Sequence, residues 1–253
     1  MNKIPQITLL FWIMKICATT LGETAGDLLS MTLNVGYAVS SLILFSIFGV
    51  TLAGQLCARK YHPWLYWSVI LATSTAGTTM SDYMDRTLGL GYAKGSLILV
   101  GILAAIFVAW WLSGESLSVV EIRSRKVEAL YWTAILFSNT LGTALGDFLA
   151  DDSGLGFAGG ALLIGGLLAA VVLSYYFTPI SRVALFWVAF VLTRPFGATL
   201  GDVLTKSPEK GGVGFGTIGS SAVLAGILVA LVVYRTVVPE APPSAAEPIA
   251  EPA

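Results

Sequence analysis

One pattern recurs four times along the chain in a fixed register. Trp12, Trp67, Trp132 and Trp187 are each followed ten residues later by a glycine (Gly22, Gly77, Gly142, Gly197). Five residues beyond each glycine stands an aspartate: Asp27, Asp82, Asp147 and Asp202. A Gly-aromatic pair follows, at Gly36-Tyr37, Gly91-Tyr92, Gly156-Phe157 and, delayed by three residues, Gly214-Phe215. Four matches at four kinds of position are a specific sign of a repeat architecture. The widest gap between repeats falls at residues 113–128, the most charged stretch of the chain.

Each repeat holds two apolar runs long enough to cross a bilayer, which takes roughly 20 residues. The runs cover about 6–29, 36–58, 64–84, 91–113, 128–149, 156–177, 182–204 and 214–236. Pro195 inside the seventh run predicts a kink. Composition agrees, with 56% hydrophobic and only 11% charged residues over 253 positions. Soluble domains carry about 25% charged residues, so a soluble enzyme and a disordered chain are both excluded. Net charge −1 gives no basic footprint, so no nucleic acid partner is expected.

Two helices per repeat return the chain to its starting side, so the four repeats share one topology and equivalent residues share one depth. The expected fold is all-α: a polytopic membrane protein with eight transmembrane helices from four parallel two-helix repeats. The organisation reads as one membrane half over 1–113, a charged connection over 114–127, a second half over 128–237 and a Pro/Glu-rich tail over 238–253 expected to be disordered. Lys and Arg sort by side. Lys3, Arg59, Lys60, Arg123, Arg125, Lys126, Arg182 and Arg235 lie with the termini, while Arg86, Lys94, Lys206 and Lys210 lie opposite. This bias predicts a multi-pass inner-membrane protein with both termini cytoplasmic. The repeated tryptophans read as anchors at the cytoplasmic interface. The repeated strings, TLGETAGD, TAGTTMSD, TLGTALGD and PFGATLGD, resemble a largely uncharacterised family of bacterial multi-pass membrane-anchored repeat proteins. The resemblance covers about residues 5–237 and brings no functional site with it.

Helical residues four apart share a face. Stepping back from each aspartate gives four polar columns: Thr19, Glu23, Asp27; Ser74, Thr78, Asp82; Asn139, Thr143, Asp147; and Arg194, Ala198, Asp202. Lys15 lies one step further down the first. Charge at membrane depth is costly, about 3 kcal/mol at the centre on insertion scales, and faces an interior or a water-filled cavity. Four acids at one level repel one another, so they share protons or enclose a cation. Asp27, Asp82, Asp147, Asp202 and Glu23 are therefore candidate cation ligands, with Arg194 and Lys15 as counter-charges and Thr19, Ser74, Thr78, Asn139 and Thr143 as the polar lining. The donors are oxygens, with no paired Cys and one His (His62) in a connection, which suits hard divalent ions such as Mn²⁺, Mg²⁺ or Ca²⁺. A competing expectation is that each aspartate caps the N-terminus of a neighbouring even-numbered helix. Asp85, Asp151 and Asp152 read as solvated loop charges.

No nucleophile–base pair, P-loop or dinucleotide fingerprint occurs, so no enzymatic activity and no cofactor are expected. The leading expectation is transport of a small cation, manganese preferred, through a carboxylate-lined site, with proton coupling as an extension. The alternatives are a structural or regulatory membrane module, or a transporter of a small organic solute held by Arg194.

Overall fold

The computed structural model describes residues 3–119, 122 and 124–238. The expected disordered tail beyond Val238, and Arg123 of the charged connection, lie outside the described residues. Eight α-helices follow the eight apolar runs: α1 Leu9–Asp27, α2 Tyr37–Cys57, α3 Pro63–Asp82, α4 Tyr92–Leu112, α5 Arg125–Asp147, α6 Gly156–Phe177, α7 Arg182–Thr205 and α8 Gly216–Val237. Thr8, Ser124 and Ser181 cap α1, α5 and α7 with their side-chain oxygens. Pro63 opens α3, where its missing N–H costs nothing. Helix α7 runs on through Pro195 without a break.

The odd-numbered helices form a closed inner ring. Helix α1 packs on α3, α3 on α5, α5 on α7, and α7 back on α1. Each even-numbered helix lies outside, against the inner helix of the following repeat: α2 on α3, α4 on α5, α6 on α7, and α8 on α1. Two relays of equivalent residues set the spacing of the ring. A β-carbon on Gly22 would collide with Ser74, one on Gly142 with Arg194, and one on Gly197 with Thr19. A β-carbon on Gly77 would lie 3.0 Å from the backbone at Asn139. Each repeat's glycine thus admits the polar residue one turn or more below the next repeat's aspartate. The reverse relay is aromatic. Trp67 packs on Phe11, Trp132 on Tyr66, Trp187 on Tyr131 and Trp12 on Phe186, with ring centroids 5.8, 5.6, 6.1 and 5.7 Å apart. Equivalent residues meeting at one level require parallel inner helices.

The tryptophans therefore correct the sequence expectation. Trp67, Trp132 and Trp187 are buried in the ring, and only Trp12 is partly exposed. They form an aromatic floor with Phe11, Tyr66 and Tyr131, where the Tyr66 and Tyr131 hydroxyls hydrogen-bond at 2.8 Å.

Five helices (α2, α4, α6, α7 and α8) are long and apolar enough to cross a membrane, a composition compatible with a membrane protein. Helices α1, α3 and α5 fall short because their polar columns dilute the apolar residues. Those columns are inside: Thr19, Ser74, Asn139 and Arg194 are wholly buried. The outer helices instead expose their apolar residues, including Leu42, Val50, Leu97 and Leu162.

The aspartate end of the first three repeats is continued by a π-helical turn, over Leu28–Thr32, Tyr83–Thr87 and Phe148–Asp152. The fourth has a 3-10 turn over Pro208–Lys210 instead. Each crossing then uses two left-handed positions, two residues apart: Asn34 and Gly36, Gly89 and Gly91, Gly154 and Gly156, Gly214 and Gly216. The structural partner of Gly36 is thus Gly216, two residues later than the Gly-aromatic pattern suggests. Asp85 departs from its expected place in solvent. It is 5% exposed, accepts a bond from Ser81 and sits where a β-carbon on Gly95 would be. Burial pushes its carboxyl up to about 6. Asp151 and Asp152 are exposed, as expected.

Two outcomes follow from this packing. Gly142→Ala should lower the melting temperature in detergent by an overpacking cost of about 1–3 kcal/mol, while Gly166→Ala, facing open space on α6, leaves it unchanged or higher. Asp85 holds its proton more tightly folded than unfolded, so its contribution to stability is full below about pH 4 and fades as the pH rises through about 6. Asp85→Asn should flatten the melting profile across that interval, and a profile unchanged in shape would contradict the assignment.

Candidate functional site

The four columns meet on the ring axis and stack into levels. Nearest the aromatic floor lies Lys15, wholly buried, as are Ile70, Ile135 and Phe190 at the equivalent positions. Its Nζ is 4.0 Å from the centroid of the Phe190 ring and donates to Asn139 Oδ1 at 3.5 Å. Asn139 in turn donates to Thr73 Oγ1 at 2.9 Å. Lys15 has no carboxylate partner among the described residues.

Arg194 occupies the centre of the next level and is wholly buried. Its Nη2 lies 2.9 Å from Glu23 Oε2 and within hydrogen-bond reach of Thr143 Oγ1 at 2.6 Å, of Thr78 Oγ1 and of the Ser74 carbonyl, among which its two hydrogens are shared. Its Nη1 donates to the Thr19 carbonyl at 3.2 Å. Thr78 and Thr143 also donate towards Glu23 Oε2, at 3.3 and 3.4 Å. One guanidinium from the fourth repeat therefore gathers groups from the other three. Removing one member of such a buried pair strands the other charge, a loss of about 3–5 kcal/mol.

Above this pair stand the four aspartates, all buried. Oxygens of Glu23, Asp147 and Asp202 lie within 4.8 Å of one another, a spacing that three ligands of one cation would have. Two further cations close the level. Lys206 Nζ bridges Asp27 and Asp202 at 3.2 and 3.1 Å. Arg86 bridges Asp82 and Asp147, with Nε 3.0 Å from Asp82 and Nη2 3.5 Å from Asp147. Arg86 is also held by Tyr37, whose hydroxyl accepts from Nη1 at 3.3 Å, and by the ring faces of Tyr37 and Tyr92. Asp82 Oδ1 has the Arg86 nitrogen nearby but no aligned hydrogen bond.

All twelve residues singled out from the sequence are buried within the inner ring. The aspartates do not cap the outer helices: α2, α4, α6 and α8 have no side-chain cap, and the acids pair with cations instead. Arg86 and Lys206 belong to the site although they read in the sequence only as charges on the far side. The signal was present, since each stands four residues beyond an aspartate and so extends its column by one step. The corresponding positions in the first and third repeats are Met31 and Asp151. Glu23 pairs with Arg194, and Lys15 does not reach it.

Arranged this way, the axis concentrates charge of both signs at a buried level. Its donors at the acidic level are carboxylates and hydroxyls, which suit hard cations. The two cysteines are free and absent from it. No curated protein and no solved structure matches the chain. One family pattern matches four times, over residues 10–61, 65–116, 130–181 and 185–239, one match to each pair of inner and outer helices. The chain belongs to the family described as Repeat of Unknown Function (DUF347).

Proposed function

We propose that this protein is a carrier for a small hard cation, a divalent ion such as Mn²⁺ for preference, across a bacterial inner membrane. In this reading all eight helices span the bilayer and both termini are cytoplasmic. The polar inner helices are shielded by α2, α4, α6 and α8, so their low hydropathy costs nothing once the ring has closed. The observation that carries the reading is the convergence of Glu23, Asp147 and Asp202 oxygens within 4.8 Å at a buried level of the ring. Asp27 and Asp82 stand at the same level and guide the ion. Arg194 holds Glu23 in place and keeps the pocket from accumulating negative charge. Proton exchange for the ion would use these same carboxylates.

A structural module is the second reading, favoured by one observation. Each ring acid has a side-chain cation beside it, and the aromatic floor fills the axis below Lys15. A small organic acid would need the Arg194 amino groups, which Glu23, Thr78, Thr143 and Thr19 already occupy.

Binding and flux separate the readings. A carrier should melt at a higher temperature with Mn²⁺, because a ligand that binds only the folded state stabilises it; the gain is about 2.7 kcal/mol at 100 times Kd. Asp147→Asn and Asp202→Asn should each abolish that shift and lower Mn²⁺ uptake into proteoliposomes at least about tenfold, the equivalent of about 1.4 kcal/mol. A module used only for packing gives lower melting in both variants and no response of the wild type to Mn²⁺, Mg²⁺ or Zn²⁺. Unchanged flux in folded variants would remove the carrier reading.

A further inference from the structure

The buried axis is not electrically balanced. Five carboxylates, Glu23, Asp27, Asp82, Asp147 and Asp202, face four side-chain cations, Lys15, Arg86, Arg194 and Lys206. With all of them ionised the formal excess is a single negative charge. A monovalent ion cancels it outright. A divalent ion leaves a surplus positive charge in a buried site, where unpaired charge is strongly disfavoured. Balance returns when a resident cation withdraws or gives up its proton.

The four cations are not equally free to do so. Lys15 and Arg194 are wholly buried and far from the open end of the columns. Arg86 is clamped by the Tyr37 hydroxyl and by two aromatic faces. Lys206 stands at the C-terminal cap of α7, where the exposed segment beginning at Ser207 follows. Its side chain is 23% exposed, and its ammonium bridges two carboxylates, Asp27 and Asp202. A lysine ammonium is a point charge on a flexible stem and lacks the planar fork that fixes arginine. Asp202 is one of the three converging acids.

We infer that Lys206 is a tethered counter-ion that gives way to a divalent cation at Glu23, Asp147 and Asp202 and returns when the ion leaves. The inference rests on the carrier reading and deepens it by naming the group that the divalent ion displaces. Lys206 swings from between Asp27 and Asp202 towards the exposed turn at Pro208–Lys210. Asp27, released in the same movement, faces the incoming ion. The formal charge of the axis is then zero with the divalent ion in place. No covalent bond changes.

The experiment measures Mn²⁺ binding and the accessibility of the Lys206 amine in the full-length protein in detergent. Acylation of lysines is read by mass spectrometry, with exposed Lys94 as internal reference. Saturating Mn²⁺ should speed acylation of Lys206 several-fold and leave Lys94 unchanged. Removing the competitor in Lys206→Gln should tighten Mn²⁺ binding about tenfold, as expected when the lysine-out state is about one-tenth populated. Lys206→Arg, which keeps the charge and adds a two-pronged grip on Asp27 and Asp202, should weaken it. If Mn²⁺ raises the melting temperature but Lys206 reacts no faster, or Lys206→Gln binds no more tightly, the exchange is overturned and the carrier reading stands. If the wild type ignores Mn²⁺ while Lys206→Gln binds it, lysine does not give way in the native protein and the exchange is overturned. If neither protein responds to Mn²⁺, Mg²⁺ or Ca²⁺, the carrier reading falls and this inference falls with it.

Discussion

The architecture depends on how closely the four inner helices approach one another. That approach is set by a glycine three residues beyond a polar column position in every repeat, each receiving the side chain or backbone of the next inner helix. Without a solvent-driven hydrophobic force, helices in a lipid phase associate through close packing and interhelical hydrogen bonds, and small residues make both available. Here the two coincide. The contact that seats Arg194 against Gly142 also brings its guanidinium to Glu23, Thr78 and Thr143. Loosening the helices would therefore weaken packing and strand charge at once.

The charges themselves are distributed unevenly between repeats. Lys206 joins the fourth repeat to the first, as does the Arg194–Glu23 pair. Arg86 joins the second to the third, and so do the Tyr66–Tyr131 and Asn139–Thr73 hydrogen bonds. Across the remaining two inner interfaces the axis relies on hydroxyls, with Thr78 and Thr143 reaching Glu23 and Arg194. The ring is fourfold in its backbone plan and twofold in its electrostatics. One-off residues such as Glu23 and Arg194 break even that symmetry.

Much of this was legible before any coordinates. The Trp, Gly and Asp register located the repeats, and a step of four residues along a helix put Glu23, Arg194 and the aspartates on one face. What escaped had physical causes. Tryptophan suits both a membrane interface and a core, so Trp67, Trp132 and Trp187 could not be assigned by position alone. Arg86 and Lys206 lie beyond the apolar runs, and their turn back towards the aspartates depends on where the helix ends. The phase of the last crossing is fixed by backbone conformation at Gly214 and Gly216, so the Gly-aromatic match at Gly214-Phe215 misplaced it by two residues. The burial of Asp85 depends on Gly95 of the following helix, a contact no local pattern records.

The outer helices carry a last consequence. Each is written in the sequence with the inner helix before it, yet it packs on the inner helix after it, and α8 completes the pattern by covering α1. The duplicated segment and the packed unit are therefore out of phase by one helix. A single segment cut out at its sequence borders would leave its own inner helix bare and its outer helix without a partner. Closing the circle therefore joins the first and last repeats directly, through α1 against both α7 and α8.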